Sequence, residues 1–246
     1  MSARLNLIGI GSGNPAHLTL AAIDTLNRAD LILVPRKEDK PALADLRREI
    51  LARHLKAPAK IVEFDLPKRG GDGDYLADVA LWHDAIAARW AELIAAHLPK
   101  GGEVALLVWG DPSLYDSSLR IAARLGLKAR VEPGITSLQV LTAAHCVPLN
   151  GLGGAVWLTT GRRLRADGWP AGAESVAVML DAGGAFQSVD PAGVTIWWGG
   201  CLGMAEQRLV SGKLSLASAE IIEARRALKA QLGWVMDIYL MRRETP

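Results

Sequence analysis

Phenylalanine is nearly missing from this chain: 2 in 246 residues, against 8 tryptophans and 3 tyrosines. The core must then be built mainly from aliphatic side chains, with indoles where phenyl rings are usual. Cysteine is as scarce. Cys146 and Cys201 cannot staple a fold of this length, which suits a reducing, cytoplasmic setting. Both stand among small or apolar neighbours, so buried small hydrophobes are expected. No run approaches the ~18 apolar residues of a membrane span. The opening MSARLNLIGIGSGN is too glycine-broken for a signal peptide and reads as a first strand. Neither sign of charge dominates: 28 Lys plus Arg against 26 Asp plus Glu leave +2, too weak a field to imply nucleic acid. No group of histidines and cysteines has metal-ligand spacing, so no metal is expected.

What is present is a chain half hydrophobic with 22% charge, which excludes disorder, collagen and coiled coil. At roughly 150 residues per domain the length gives one or two domains. Strand-like and helix-like segments alternate at first. A strand at 4–9 is followed by a helix opening at Thr19, with Leu20, Ile23 and Leu26 on one face. A buried-type strand at 31–34, a helix begun by Pro41, and a strand at 60–64 come next. After a polar, glycine-rich loop at 65–74 a long helix runs over 75–97, and an apolar strand over 103–109. Such alternation means βαβ units and a parallel sheet. From about Val131 the texture shifts: a helix at 137–145, then AVWLTT, SVAVML, VTIWWG and QRLVSG, a helix at 215–230 and a last strand GWVMDIYLM. The expectation is an α/β protein of two α/β domains. The N-terminal one (1–132) has a mostly parallel sheet and the C-terminal one (137–246) a mixed sheet.

Three short motifs could carry chemistry. GIGSGN begins at Gly9, straight after the first strand, where glycines let backbone approach a ligand. A dinucleotide fingerprint would need a further glycine where Asn14 stands, and an acid where the second strand ends in Pro35 and Arg36. WGDPSLYDSS begins at Trp109, at the carboxyl end of an apolar strand, where parallel sheets bind ligands. PGITS begins at Pro133 and is a turn into a helix start.

In this order and spacing, GxGxGNPxxLT, GDPxxY and PGITS together resemble the tetrapyrrole methyltransferases, the class III S-adenosylmethionine-dependent family. Within it, VWGDPSLYDSSLRI, TTGRR and the ending GWVMDIYLMRR resemble the cobalamin-pathway branch that methylates precorrin-5 at carbon 1 and releases acetate, giving precorrin-6A. The chain departs from the family at Ser12, where proline is usual. The resemblance implies a donor cleft between the two domains, S-adenosylmethionine bound there and leaving as S-adenosylhomocysteine, a precorrin substrate and a homodimer. It assigns to the donor Gly11 and Ser12; Trp109, Gly110, Asp111, Leu114 and Tyr115; Ser137 and Leu138; Met179 and Leu180; Gly200, Cys201, Gly233 and Trp234, the last four at strand ends.

A tetrapyrrole carries many carboxylates, which arginine forks suit. Arg36 beside Lys37, and Arg162 and Arg163 in a loop after a strand end, are the substrate-binding candidates, with Lys68, Arg69 and Arg165 nearby. Acetate release needs water attack on an acetyl group; Asp111 and Tyr115 are the catalytic candidates, with Asp116 and Asp181 behind them. His17 lies near the first turn, while His54, His83, His97 and His145 are expected to be structural. Trp82, Trp90, Trp157 and Trp197 are expected in packing, Trp109, Trp198 and Trp234 around the donor, and Trp169 against the flat pigment. Competing readings are methylation of another precorrin position, a dinucleotide-dependent oxidoreductase, and a non-catalytic tetrapyrrole carrier.

Overall fold

The computed structural model describes residues 3–37, 41–70 and 74–243, so part of the predicted glycine-rich loop at 65–74 lies outside the described residues. The backbone separates into two compact units, Met1–Ile135 and Thr136–Pro246. No helix among the described residues is long and apolar enough to cross a membrane.

The first unit is built on β1 (Arg4–Gly9), β2 (Leu31–Arg36), β3 (Lys60–Asp65), β4 (Glu103–Val108) and β5 (Lys128–Glu132), all parallel, in the order β3-β2-β4-β1-β5. Both faces of its central strands are buried, hence the apolar runs of β2 and β4; in β1 only Asn6 breaks the run. Leu5, Leu7, Leu31, Leu33 and Leu106 form one core with α3 (Tyr75–His97) and α4 (Ser118–Arg124). Ile8, Ile10, Ile32, Val34 and Leu107 form the other with α1 (Leu20–Leu26) and α2 (Pro41–His54). The helix following β1 and the helix following β4 therefore cover opposite faces of adjacent strands. A crevice opens at such a switch point, outside the strands' carboxyl ends.

Of the face expected on α1, Leu26 is buried and Ile23 half-buried, but Leu20 is not. Thr19 caps the helix, its hydroxyl accepting from Ala22 N at 3.1 Å. The phase so set buries Ala22, Thr25 and Leu26 and leaves Leu20 81% exposed. On α3, Trp90 is buried, whereas Trp82 is half-buried and donates its indole N–H to Pro67 O at 2.7 Å.

The second unit pairs β6 (Val156–Thr160), β7 (Ser175–Met179), β8 (Val194–Gly200), β9 (Arg208–Lys213) and β10 (Asp237–Arg243) in the order β6-β7-β10-β8-β9. Only β6 and β7 are parallel. The register sets Thr160 beside Met179 and Asp237 beside Gly200, so the ends of β6, β7 and β8 share one edge with the start of β10. Val176, Val178, Ile196, Trp198, Tyr239 and Met241 make its core with α7 (Leu214–Leu232) and α6 (Gly161–Asp167); α5 (Ser137–His145) packs on β8 and β10.

Several expectations are corrected here. GRRLRAD is helix α6, not loop, because Thr160 caps it and accepts from Arg163 N at 3.4 Å. The last strand starts at Asp237 because Gly233, at φ 76°, terminates α7. Cys201 is buried, but Cys146 is exposed at the left-handed end of α5. Trp157 is 50% exposed on the edge strand β6 and is no core residue. Trp198 is fully buried and donates to Asp237 Oδ2 at 3.0 Å. Trp169 does not face outward: it packs on the core, donates to Ala173 O at 2.9 Å, and carries Arg243 4.4 Å above its ring.

Candidate functional site

At the carboxyl ends of β1, β4 and β5 the three motifs of the first unit meet through backbone. Beyond the parallel β1–β4 ladder, Gly110 N donates to Gly11 O at 2.8 Å and Gly11 N to Gly110 O at 3.2 Å. Both glycines have positive φ, 75° and 68°, conformations in which a side chain is strained. A Cβ on Gly9 would lie 2.5 Å from Gly134 N, and one on Gly134 would overlap the Gly110 carbonyl oxygen. The side of Gly110 where a Cβ would point is open space.

Asp111 fastens this junction. One carboxylate oxygen accepts from Gly134 N at 2.8 Å; the other accepts from Ser113 N at 2.8 Å and from its hydroxyl. Burial works to raise its pKa, but these bonds outweigh it and hold the carboxyl below its ordinary value. So placed, Asp111 is suited to positioning its loop and not to taking a proton. Leu114 and Tyr115 follow on that loop, the latter at φ 47° and 42% exposed, its phenol pKa raised by burial. Ser12 is buried and its hydroxyl has no hydrogen-bond partner among the described residues; His17, packed on Gly11, has a buried Nδ1 in the same condition. Burial also lowers the His17 pKa. Trp109 is half-buried directly after β4.

In the second unit Ser137 and Leu138 open α5 behind a capping box. Thr136 accepts from Leu138 N at 3.2 Å, and Gln139 reaches back to Thr136 N at 3.1 Å. Met179, Leu180, Gly200 and Cys201 lie at the shared sheet edge. Leu180 (φ 52°) and Cys201 (φ 51°) are left-handed without being glycine, a strain that clusters at ligand sites. Cys201 N donates to Met236 O at 2.8 Å, and burial raises its thiol pKa, so it is no nucleophile. Gly233 and Trp234 belong to the turn between α7 and β10, not to a strand end.

Asp181 is equally committed. It accepts from Gly183 N at 3.1 Å, Ala185 N at 2.5 Å, Arg165 Nη1 at 3.0 Å and the Tyr239 hydroxyl at 2.7 Å. These bonds hold its pKa down against the effect of burial. Arg225 bridges its carbonyl to Asp237 Oδ2, at 3.1 and 2.9 Å. This buried network was not read from the sequence, because its members have no motif spacing.

The predicted cations divide between the units. Arg162 and Arg163 are exposed on the first turn of α6, Arg163 lying 3.5 Å from Asp167. Arg36 lines a cavity of about 1050 Å³ in the first unit together with Lys37, Lys68 and Arg69. Arg48 and Trp82 also line it and were missed, since both read as ordinary helix residues. Arg36 is paired with Asp65 at 3.0 Å and Arg48 with Glu63 at 2.7 Å. Among the described residues no group of histidine, cysteine and carboxylate side chains could hold a metal ion.

Comparison with known proteins accounts for this arrangement. The profile of the Tetrapyrrole (Corrin/Porphyrin) Methylases matches residues 4–217. The chain is 43% identical, over 98% of its length and 95% of the relative's, to precorrin-6A synthase [deacetylating] of Sinorhizobium sp.. The crystal structure of a putative cobalamin synthesis related protein (CobF) from Corynebacterium diphtheriae superposes with TM-score 0.83 at 37% identity, covering 98% of this chain and 99% of that one. Uroporphyrin-III C-methyltransferase from Thermus thermophilus, solved with S-adenosylhomocysteine, shares the fold with TM-score 0.62 at 21% identity, over 98% and 92% of the two chains. The chain thus belongs to the tetrapyrrole methylases, S-adenosylmethionine-dependent methyltransferases, and is a methyltransferase of cobalamin biosynthesis.

Proposed function

We propose that this chain methylates precorrin-5 at carbon 1 and releases acetate, giving precorrin-6A, in the cytoplasm. The observation that carries the reading is the 43% identity across nearly the whole of both chains to a deacetylating precorrin-6A synthase.

The residues present suit S-adenosylmethionine. The open side of Gly110, the unpartnered hydroxyl of buried Ser12 and the fixed bridge to Gly11 offer backbone and one polar group to a ligand of modest charge. Trp109, Leu114 and Tyr115 add apolar surface. To the same ligand we assign Ser137, Leu138, Met179, Leu180, Gly200, Cys201, Gly233 and Trp234. When bound, the sulfonium supplies an electrophilic methyl group. The chain's part is to hold the approach in line and to keep water out, and positioning of this kind is a large share of the rate. Asp111 works by fastening the loop to Gly134, and Tyr115, kept protonated, can donate a hydrogen bond but not act as a base.

The 1050 Å³ cavity lies at the top of the range for small-molecule sites, as a macrocycle requires. We assign the substrate carboxylates to Arg36 and its neighbours in this cavity, and propose Arg162 and Arg163 as further substrate-binding residues of the second unit. A homodimer is also proposed, on the family resemblance; light scattering decides it. The test of the main reading is incubation with precorrin-5 and S-adenosylmethionine, following methyl incorporation and acetate together. Methylation without acetate overturns the deacetylating assignment, and no calorimetric signal with S-adenosylhomocysteine overturns the donor site.

A further inference from the structure

A second, smaller chamber in the first unit holds about 190 Å³ and shares Lys37, Leu66 and Trp82 with the basic cavity. At about 30 Å³ per water molecule it has room for roughly six waters. That is far too little for a macrocycle and ample for a two-carbon acid. Its walls are mostly apolar, yet Lys37, Arg47, Asp116, Ser117 and Ser118 also line it. Arg47 is buried; its Nε donates to Leu107 O at 2.9 Å and Nη1 to Leu43 O at 2.8 Å. Its remaining amine, Nη2, has no hydrogen-bond partner among the described residues. Burial lowers its pKa to about 10, so it is a cation at neutral pH. Trp90 Nε1 is buried with no hydrogen-bond partner among the described residues. Asp116 also lines the chamber and uses one carboxylate oxygen to accept from Ser118 N at 2.6 Å.

Unpartnered buried donors are costly and rare in proteins. A cationic guanidinium and an orphaned indole N–H, both on residues that line one chamber, describe a receptor for an oxygen anion. The chamber's size restricts that anion to a small one, and the lining residues it shares with the basic cavity set it beside a ligand lying there.

We propose that this chamber receives the acetyl group that the substrate loses and binds the acetate formed from it, with Arg47 and Trp90 on the acetyl oxygen. The proposal rests on the deacetylating reading above. The step balances with water as co-reactant. Water oxygen adds to the acetyl carbonyl carbon, and the bond from that carbon to ring carbon 1 breaks. The bond's electron pair stays on carbon 1, which forms the new bond to the donor methyl group. The acetyl carbon leaves as acetate with the water oxygen, and the water's two protons are released. Arg47 Nη2 and Trp90 Nε1 hold the oxyanion that develops at the acetyl oxygen. The second oxygen of Asp116 orients the water and takes its first proton.

The test uses single turnovers of precorrin-5 and S-adenosylmethionine by Arg47→Lys and Trp90→Phe, reading acetate and methylated product separately. Acetate formation should slow about ten-fold or more in Arg47→Lys, the loss of one hydrogen bond to a charge, and less in Trp90→Phe. S-adenosylhomocysteine affinity should hold in both. Added sodium acetate, against a sodium chloride control, should inhibit the native enzyme but not Arg47→Lys. If Arg47→Lys unfolds, Trp90→Phe carries the test alone, since it removes one N–H and keeps an aromatic ring. Unchanged acetate formation in the folded variants overturns the proposal. So does a loss confined to the precorrin KM, which would make the chamber a seat for a substrate side-chain carboxylate. If the native protein releases no acetate from precorrin-5, the parent reading falls. Line broadening of [13C]acetate by the native protein, and its loss in Arg47→Lys, then decides whether the chamber binds small carboxylates.

Discussion

The two sheets end in loops held by opposite means. In the first unit the strand-end loops are joined through backbone and a single side chain: Gly9, Gly110 and Gly134 approach so closely that no side chain fits at the first and last, and one carboxylate, Asp111, clasps them. In the second unit the corresponding edge is held by charged side chains. Asp181, Arg165, Tyr239, Arg225, Asp237 and Trp198 form one network around two buried carboxylates. The difference teaches where each half is vulnerable. The first fails when an atom is added, the second when a partner is taken away.

Removing the centre of the second network should give the largest effect. Asp181→Ala leaves Arg165, the Tyr239 hydroxyl and two backbone N–H groups without their acceptor. A cost of about 3–5 kcal/mol in stability is expected, the figure for breaking a buried pair, measured by urea unfolding. A loss below about 1 kcal/mol would show the network to be redundant. Gly134→Ala should cost about 1–3 kcal/mol, as overpacking does. Unlike Asp181→Ala, it should also weaken S-adenosylhomocysteine binding in calorimetry, because the added methyl group displaces Gly110. Equal donor affinity in wild type and variant would break the link between that junction and the ligand.

Acid should separate the regions too. Asp111 has a depressed folded pKa. Its contribution is complete above the ordinary carboxylate range and is lost as pH falls through the depressed value. Asp237 is the reverse: burial raises its pKa, so protonation of Asp237 favours the fold, and that contribution is lost as pH rises through the raised value. Melting temperatures followed from pH 7 downward should therefore fall less steeply in Asp111→Asn than in wild type, and more steeply in Asp237→Asn. Identical slopes in all three would dissociate these carboxylates from acid stability. The smallest effect is expected at Trp157, half-exposed on its edge strand. Trp157→Ser should change stability by about 0.5 kcal/mol or less, as surface substitutions do.

The same contrast explains what could be read beforehand. Parallel strands buried on both faces leave apolar runs, broken in β1 only by Asn6, so β1, β2 and β4 were legible, and with them the α/β class of the first unit. Glycine junctions need glycine at fixed places, so Gly11, Gly110 and the Gly134 turn stood out as motifs. A buried polar network imposes no spacing: Asp181, Arg225 and Asp237 come from separate loops, strands and helices, and only the fold assembles them. Residue type misled where position decided. Trp157 looked like core but sits on an edge strand, Leu20 looked like a helix face but lies outside the phase set by the Thr19 cap, and GRRLRAD looked like loop until its capping threonine is counted. Arg47 gave no signal, because a cation's burial cannot be seen in one dimension.

The left-handed residues Tyr115, Leu180 and Cys201 carry a consequence for directed evolution. Glycine at these positions would relieve backbone strain of about 1–2 kcal/mol per residue, offset in part by the greater freedom of an unfolded glycine. A library selected for heat resistance alone should drift toward glycine at all three. A library selected for turnover should keep the side chains, and the gap between the two populations would measure how much stability each position forgoes for activity.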